Sequence, residues 1–148
     1  MFGAIKKAFK AGAKEVQADY SQNKDYLEAV CAASALVANA DGEIEDSERS
    51  KVTRILTNHP VLGKMYQQNQ IEVTAETMFK RAKDASGRQA LARELDDIKG
   101  RDGGQMAEDV YLVAVDVANA DGEVEPQEAE ILKKIASRLN VDTSKFDF

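Results

Sequence analysis

The sequence is poor in the residue types that cross-link or interrupt a chain. Its 148 residues include one cysteine, one histidine, two prolines and no tryptophan. Because Cys31 stands alone, an intramolecular disulfide, a CxxC redox motif and a thiolate zinc site are excluded. The scarcity of proline, together with long stretches rich in Ala, Glu, Lys and Leu, favours helices.

Long apolar runs are also missing. The longest uncharged stretch, residues 29–40, has twelve residues and contains Ser34 and Asn39. Such a stretch is too short to cross a bilayer as a helix. Lysines interrupt the apolar residues at the N-terminus, so the hydrophobic region of a signal peptide is absent there.

The charge of the chain is acidic and unevenly distributed. Lys and Arg number 20 against 26 Asp and Glu, which gives a net charge of -6. Residues 1–24 nevertheless carry five lysines against two acidic side chains, whereas residues 25–148 carry 15 basic and 24 acidic ones. A short basic arm therefore precedes an acidic body. Since phosphates would be repelled by that body, we expect no nucleic-acid binding.

Signatures of catalysis are scarce as well. The sequence has no GxSxG, P-loop or GxGxxG motif. His59, the only histidine, precedes Pro60 at an expected helix end, which favours a C-terminal cap over a general base. Cys31 lies among alanines on an apolar helix and is predicted to be a small core residue. We therefore predict that the protein is not an enzyme.

The N-terminal residues 1–20 are predicted to form a basic amphipathic helix. Phe2, Ile5 and Phe9 recur at helical spacing with lysines between them. One interpretation is that this apolar stripe docks on the body of the protein. The other is that residues 1–16 make a peripheral contact with a membrane surface or bind a partner.

The rest of the chain divides into further helices. One is predicted from about residue 25 to 40, ended by Asp41-Gly42, and the next from about residue 46 to 59, before Pro60. Three helices are predicted between the two repeats described next: a short one in residues 61–70, one capped by Thr74 that extends to about Ala85, and one capped by Ser86 that extends to Lys99. The role of residues 60–104 is not evident from the sequence.

A nine-residue segment occurs twice. VANADGEIE at residues 37–45 returns as VANADGEVE at residues 117–125, and the apolar positions on either side also match. Each copy is a helix, an acidic turn and a second helix, in residues 25–59 and 105–139. We therefore predict one all-α domain over residues 1–148, with about seven helices and two repeats related by a pseudo-two-fold axis.

The two turns concentrate oxygen donors, which are the ligands that Ca²⁺ and Mg²⁺ prefer. An EF-hand calcium loop laid on residues 37–48 fits at several positions, but its first ligand falls on Val37. A standard EF-hand is therefore not expected, and any binding should be weak. The candidate metal ligands are Asp41, Glu43, Glu45, Glu48, Asp121, Glu123, Glu125 and Glu128.

Helix capping explains the same residues without a metal. Pro126 suits the first position of a helix, so Glu125 would be the cap and Glu128 the third helical residue. A glutamate in that position can accept the backbone N–H of the cap residue. Asp41 and Asp121 can close their own turns in a similar way. Both interpretations, capping alone and a divalent cation, remain open at this point.

The two DGE[I/V]E turns, each between an alanine-rich helix and a helix with an acidic start, resemble the TerB family of tellurite-resistance proteins. The Phe- and Lys-containing residues 1–14 resemble the start of that family, and the helix in residues 131–139 followed by Phe146 resembles its end. The resemblance implies an all-helical cytoplasmic domain, not an enzyme, that is linked to tellurite resistance and stress responses.

The same resemblance implies partners and site residues. The partners would be a TerC-like membrane protein and TerD-like calcium binders, and the carried-over positions are Asp41, Gly42, Glu48, Asp121, Gly122 and Glu128. Tellurite is an oxyanion, and the acidic body would repel it, so the role is expected to be indirect. We therefore predict a cation-responsive or partner-binding module. The alternative is a purely structural adaptor without a metal site.

Overall fold

The computed structural model describes residues 24–146. Within that range the fold is all-α, with seven α-helices and no strand, as predicted. The helix predicted in residues 1–20, with its contacts, lies outside the described residues. The helices are α1 (Lys24–Ala38), α2 (Asp46–Thr57), α3 (Leu62–Met65), α4 (Gln68–Arg81), α5 (Ala85–Ile98), α6 (Gln105–Ala118) and α7 (Pro126–Leu139).

Helix α1 is the centre of the core and packs against α4, α5 and α6. Ten of its fifteen residues are buried, and several of them are alanines that let neighbouring helices approach closely. Cys31 is buried among them, as predicted. Burial raises the pKa of its thiol far above the ordinary value, which keeps the sulfur protonated and unreactive.

The predicted start of α4 was wrong. The helix begins at Gln68, six residues before the expected cap Thr74. The side chain of Gln70 accepts the backbone N–H of Gln67 at 2.8 Å, so a polar glutamine performs the capping. Thr74 lies inside the helix, where its hydroxyl donates to the Gln70 carbonyl at 2.7 Å.

The predicted cap of α5 was also wrong, by two residues. Asp84 takes that place instead of Ser86, and its carboxylate accepts the N–H of Gly87 at 2.6 Å. The hydroxyl of Ser86 donates to the same carboxylate at 3.0 Å. These two bonds lower the pKa of Asp84 from its ordinary value, because both stabilise the ionised carboxylate.

The two predicted repeats occupy α1–α2 and α6–α7. Helices α1 and α6, which are equivalent in the repeats, pack on each other. Their other neighbours differ, since the connecting helices α4 and α5 pack mainly on α1, while α6 packs on α7. The pseudo-two-fold relation between the repeats therefore stays a prediction.

The C-terminal residues fold back on α6. Asn140 ends α7 with a φ of 60°, a left-handed conformation that asparagine tolerates. The ring of Phe146 then stacks on Tyr111 at a centroid distance of 6.1 Å, and Lys145 pairs with Glu108 at 3.1 Å. None of the helices in residues 24–146 is long and apolar enough to span a membrane.

Candidate functional site

The backbones of the two acidic turns are alike. We call residues 39–48 turn 1 and residues 119–128 turn 2. The N–H of Gly42 donates to the Asn39 carbonyl at 2.8 Å, and the N–H of Gly122 donates to the Asn119 carbonyl at 2.9 Å. Both glycines have left-handed φ angles, +94° and +84°, which a residue with a Cβ adopts only with strain. The predicted glycine stops are therefore confirmed in both repeats.

The fold brings the two turns together around one cavity of about 190 Å³, which we call the inter-turn cavity. Five of the eight candidate ligands line it, although the two turns lie 80 residues apart in the sequence. Glu43, Glu45 and Glu123 are exposed and lie outside its lining. The lining consists of Val37, Ala38, Ala40, Asp41, Glu48, Lys51, Val52, Ile55, Val117, Asp121, Glu125, Gln127 and Glu128.

In turn 1, Asp41 closes its own turn. Its carboxylate accepts the backbone N–H of Glu43 at 3.2 Å, which is one of the local bonds expected from the sequence. Glu45 occupies the N-cap position of α2 without a side-chain cap hydrogen bond. Capping therefore leaves the side chain of Glu45 unexplained in this repeat.

Glu48 is half-buried and lies near three other carboxylates of the site. Burial raises the pKa of its carboxyl above the ordinary value, and the charges of Asp41, Glu45 and Glu125 raise it further. The ammonium group of Lys51 acts in the opposite direction. Since Glu125 belongs to turn 2, the two repeats act electrostatically on one carboxyl group.

In turn 2 the same residue types have different partners. Glu128 accepts the backbone N–H of Glu125 at 2.9 Å, as the capping interpretation predicted. Asp121, the equivalent of Asp41, is bonded to the ammonium group of Lys51 on α2. This ion pair joins the two repeats across the inter-turn cavity.

Sequence reasoning missed Lys51. The equivalent position of the second repeat holds Ile131, so Lys51 is not part of the pattern that the two repeats share. Its spacing was the available signal, because residues i and i+3 lie on the same helix face and Glu48 is three residues earlier. A lysine one helical turn after a glutamate of the motif could have been recognised as a counter-ion.

The described residues do not already form a metal site. Within residues 24–146, no group of three or more His, Cys, Asp or Glu side chains is arranged to hold a metal ion. The carboxylates share a cavity without converging on one point. The five carboxylates give the cavity a negative electrostatic potential. Lys51 supplies the one basic group among the described residues that line it.

His59 has a different role from the predicted helix cap. Asn58 is the C-cap of α2, while the Nε2 atom of His59 lies 3.2 Å from an Asp116 carboxylate oxygen on α6. The Nδ1 atom accepts the backbone N–H of Val61 at 3.3 Å, so the Nε2 atom carries the proton and donates to Asp116. The histidine connects the end of α2 to α6.

A comparison with protein families identifies the chain. The family model described as tellurite resistance protein TerB matches residues 27–148, which include both acidic turns. The chain belongs to the TerB family. The suspected resemblance is therefore confirmed, and the TerB domain is related to tellurite resistance. No curated protein and no solved structure matches the chain.

Proposed function

We propose that this TerB domain is a non-enzymatic, cytoplasmic module of tellurite resistance and stress responses, and that it responds to divalent cations at the inter-turn cavity. The observation that carries the proposal is that five carboxylates from two distant turns line one cavity. Helix capping requires neither this shared cavity nor the pairing of turn 1 with turn 2. A role in binding cations would require both.

Electrostatics supports a cation as the ligand. The raised pKa of Glu48 reflects burial and repulsion from neighbouring carboxylates, and a bound divalent ion would relieve that repulsion. Carboxylate oxygens favour Ca²⁺ or Mg²⁺ over softer metals. Because the carboxylates do not yet converge, binding must draw them together, and we expect a dissociation constant on the order of 10⁻⁴–10⁻³ M.

The remaining polar groups support a role without catalysis. The thiol of Cys31 is buried and protonated, and His59 is engaged by Asp116 and the Val61 N–H. Cation binding would instead change the surface that the turns present to other proteins. We propose a TerC-like membrane protein and TerD-like calcium binders as the partners, on the basis of the family.

A calcium titration of the full chain, followed by amide NMR at low ionic strength, tests the cation proposal. We expect site-specific shifts in residues 41–48 and 121–128 that saturate near millimolar calcium. The double variant Asp41→Asn, Asp121→Asn should fold normally and lose most of these shifts, because asparagine keeps the turn chemistry without the charge. Asp97→Asn with Asp102→Asn is the matched control, since it removes two charges outside the cavity lining.

If both double variants lose the calcium-induced shifts to the same extent, the loss follows from net charge alone. That result would contradict a calcium site in the cavity. Absence of site-specific shifts at several millimolar calcium or magnesium would contradict the cation proposal as a whole.

The second candidate is an adaptor without a metal site. Two observations favour it, because Lys51 already neutralises Asp121 and Glu128 is used as a helix cap. Calorimetric binding to a TerD-like protein in the presence of a chelator separates the two functions. Undiminished affinity would support the adaptor, whereas an affinity that needs calcium would support the cation-responsive module.

A further inference from the structure

We infer that Lys51 is the built-in counter-ion of the inter-turn cavity and that it competes with any cation that enters. The competition rests on the proposed function, whereas the role of Lys51 as counter-ion does not. The observation is that a lysine of the first repeat is bonded to Asp121, 70 residues away in the second. No sequence motif requires that contact.

The lining of the cavity makes Lys51 unusual. Among the described residues that form it, five are carboxylates and Lys51 is the single base. An ammonium group in that position neutralises part of the negative charge that the two turns bring to the cavity. The lysine is therefore placed where an external cation would act.

Lys51 acts on both turns from one helix face. It binds Asp121 in turn 2, and it lies one helical turn after Glu48, which lines the same cavity in its own repeat. An ion that displaces the ammonium group from Asp121 would therefore change the electrostatics of both turns. The two acidic turns are coupled through this one side chain.

The pair is suited to exchange rather than to permanent stabilisation. The side chains of Lys51 and Asp121 are 38% and 75% exposed, so water and salt weaken the attraction between them. The second repeat has no reciprocal base, because Ile131 occupies the equivalent position. Only one of the two aspartates thus has a lysine across the cavity, and Asp41 stays directed to its own turn.

Two variants of the full chain test the inference. Lys51→Met removes the ammonium group and keeps most of the aliphatic stem. The matched control is Lys133→Met, because Lys133 makes an exposed pair with Glu130 at 3.7 Å outside the cavity lining. Without added cation, we expect amide shifts at Asp121 and Gly122 in Lys51→Met and none there in the control.

Calcium affinity gives the second measurement. At low ionic strength, loss of one positive charge a few ångströms from a divalent ion should tighten binding by roughly three- to tenfold. Lys51→Met should show this gain and Lys133→Met should not. Lys51→Arg should restore the wild-type affinity, because arginine keeps the charge. Should the methionine variant fail to fold, Lys51→Gln removes the same charge with a polar side chain and takes its place in both measurements.

The outcomes separate the inference from the proposed function. If the amide chemical shift of Asp121 is the same in Lys51→Met as in wild type, Lys51 is not the counter-ion of the cavity. This conclusion would hold even if the wild-type protein binds calcium. Unchanged or weaker calcium binding in that variant would overturn the competition while leaving the cation site in place. Absence of calcium binding in every variant, together with shifts at Asp121, would overturn the competition and the cation site but support the counter-ion.

Discussion

Turn 1 and turn 2 share seven of ten residues and yet use their carboxylates differently. Asp41 closes its own turn, whereas its equivalent Asp121 binds Lys51 from the other repeat. Glu128 caps a helix, whereas Glu48 lies half-buried in the field of neighbouring carboxylates. Near-identity of sequence therefore determines the turn and leaves the side-chain partners open.

The residues that create the difference lie just outside the repeated segment. Pro126 fixes the first residue of α7 in helical geometry, while Asp46 holds that place in α2 and bonds to Arg49 instead. Lys51 and Ile131 then decide which repeat supplies the base. The two similar turns therefore form an asymmetric site, because the residues that follow the repeated segment differ between the repeats.

The largest expected effect tests what the two turns have in common. Gly42→Ala and Gly122→Ala should each reduce the free energy of unfolding by about 1–2 kcal/mol, because alanine is strained at positive φ. A Cβ at either position would meet no atom within 4 Å, so steric crowding adds nothing. Urea denaturation measures both losses. A difference of more than about 0.5 kcal/mol between them would break the equivalence of the two backbones.

The next effect should separate the turns. Glu128→Ala is expected to destabilise the fold by about 0.5–1.5 kcal/mol, since it removes the acceptor for the Glu125 N–H. Glu48→Ala should cause no loss or a small gain, because it removes a carboxyl whose ionisation is unfavourable in the folded protein. Thermal melts at pH 7 compare them, with the exposed Glu123→Ala as control. Equal losses at both glutamates would contradict the difference in capping.

A pH series sharpens the same contrast. The pKa of Glu48 is raised in the folded protein, so the folded state binds this proton more tightly than the unfolded chain. Stability from this group is present below the ordinary glutamate pKa and is lost as the pH rises through the raised pKa of the folded state. Glu48→Gln removes the effect, so the variant should gain stability relative to wild type across that window. A flat difference would contradict the raised pKa.

Much of the fold could be predicted because periodicity and glycine stops are local properties. The helix class, the turns at Gly42 and Gly122 and the core position of Cys31 all follow from residues near each other in the sequence. The starts of α4 and α5 could not be predicted in the same way. Several neighbouring polar residues can cap a helix, and tertiary packing selects among them.

The same distinction between local sequence and tertiary packing applies to the candidate site. Its acidic residues are evident from the repeated motif, and Glu128 has the predicted capping bond. Their position around one cavity depends on the packing of helices from distant parts of the chain, which no local pattern specifies. The partner of Lys51 could not be predicted for that reason, since Asp121 becomes its neighbour only in the folded protein.

The smallest expected effect concerns the two aspartates in the absence of added cation. Asp41→Asn should leave stability nearly unchanged, because an asparagine oxygen can still accept the Glu43 N–H. Asp121→Asn should lose the charge attraction to Lys51, and exposure of both side chains limits that loss to below about 1 kcal/mol.

Varying the salt concentration tests whether the stability difference between Asp41→Asn and Asp121→Asn is electrostatic. The attraction between Asp121 and Lys51 is screened by ions, so the difference between the two variants should shrink from low salt to about 1 M sodium chloride. The hydrogen bond in turn 1 is local and should respond little. Urea denaturation at both ionic strengths measures the change. A difference that persists at high salt would mean that the turns differ through packing, and the electrostatic account of their asymmetry would fail.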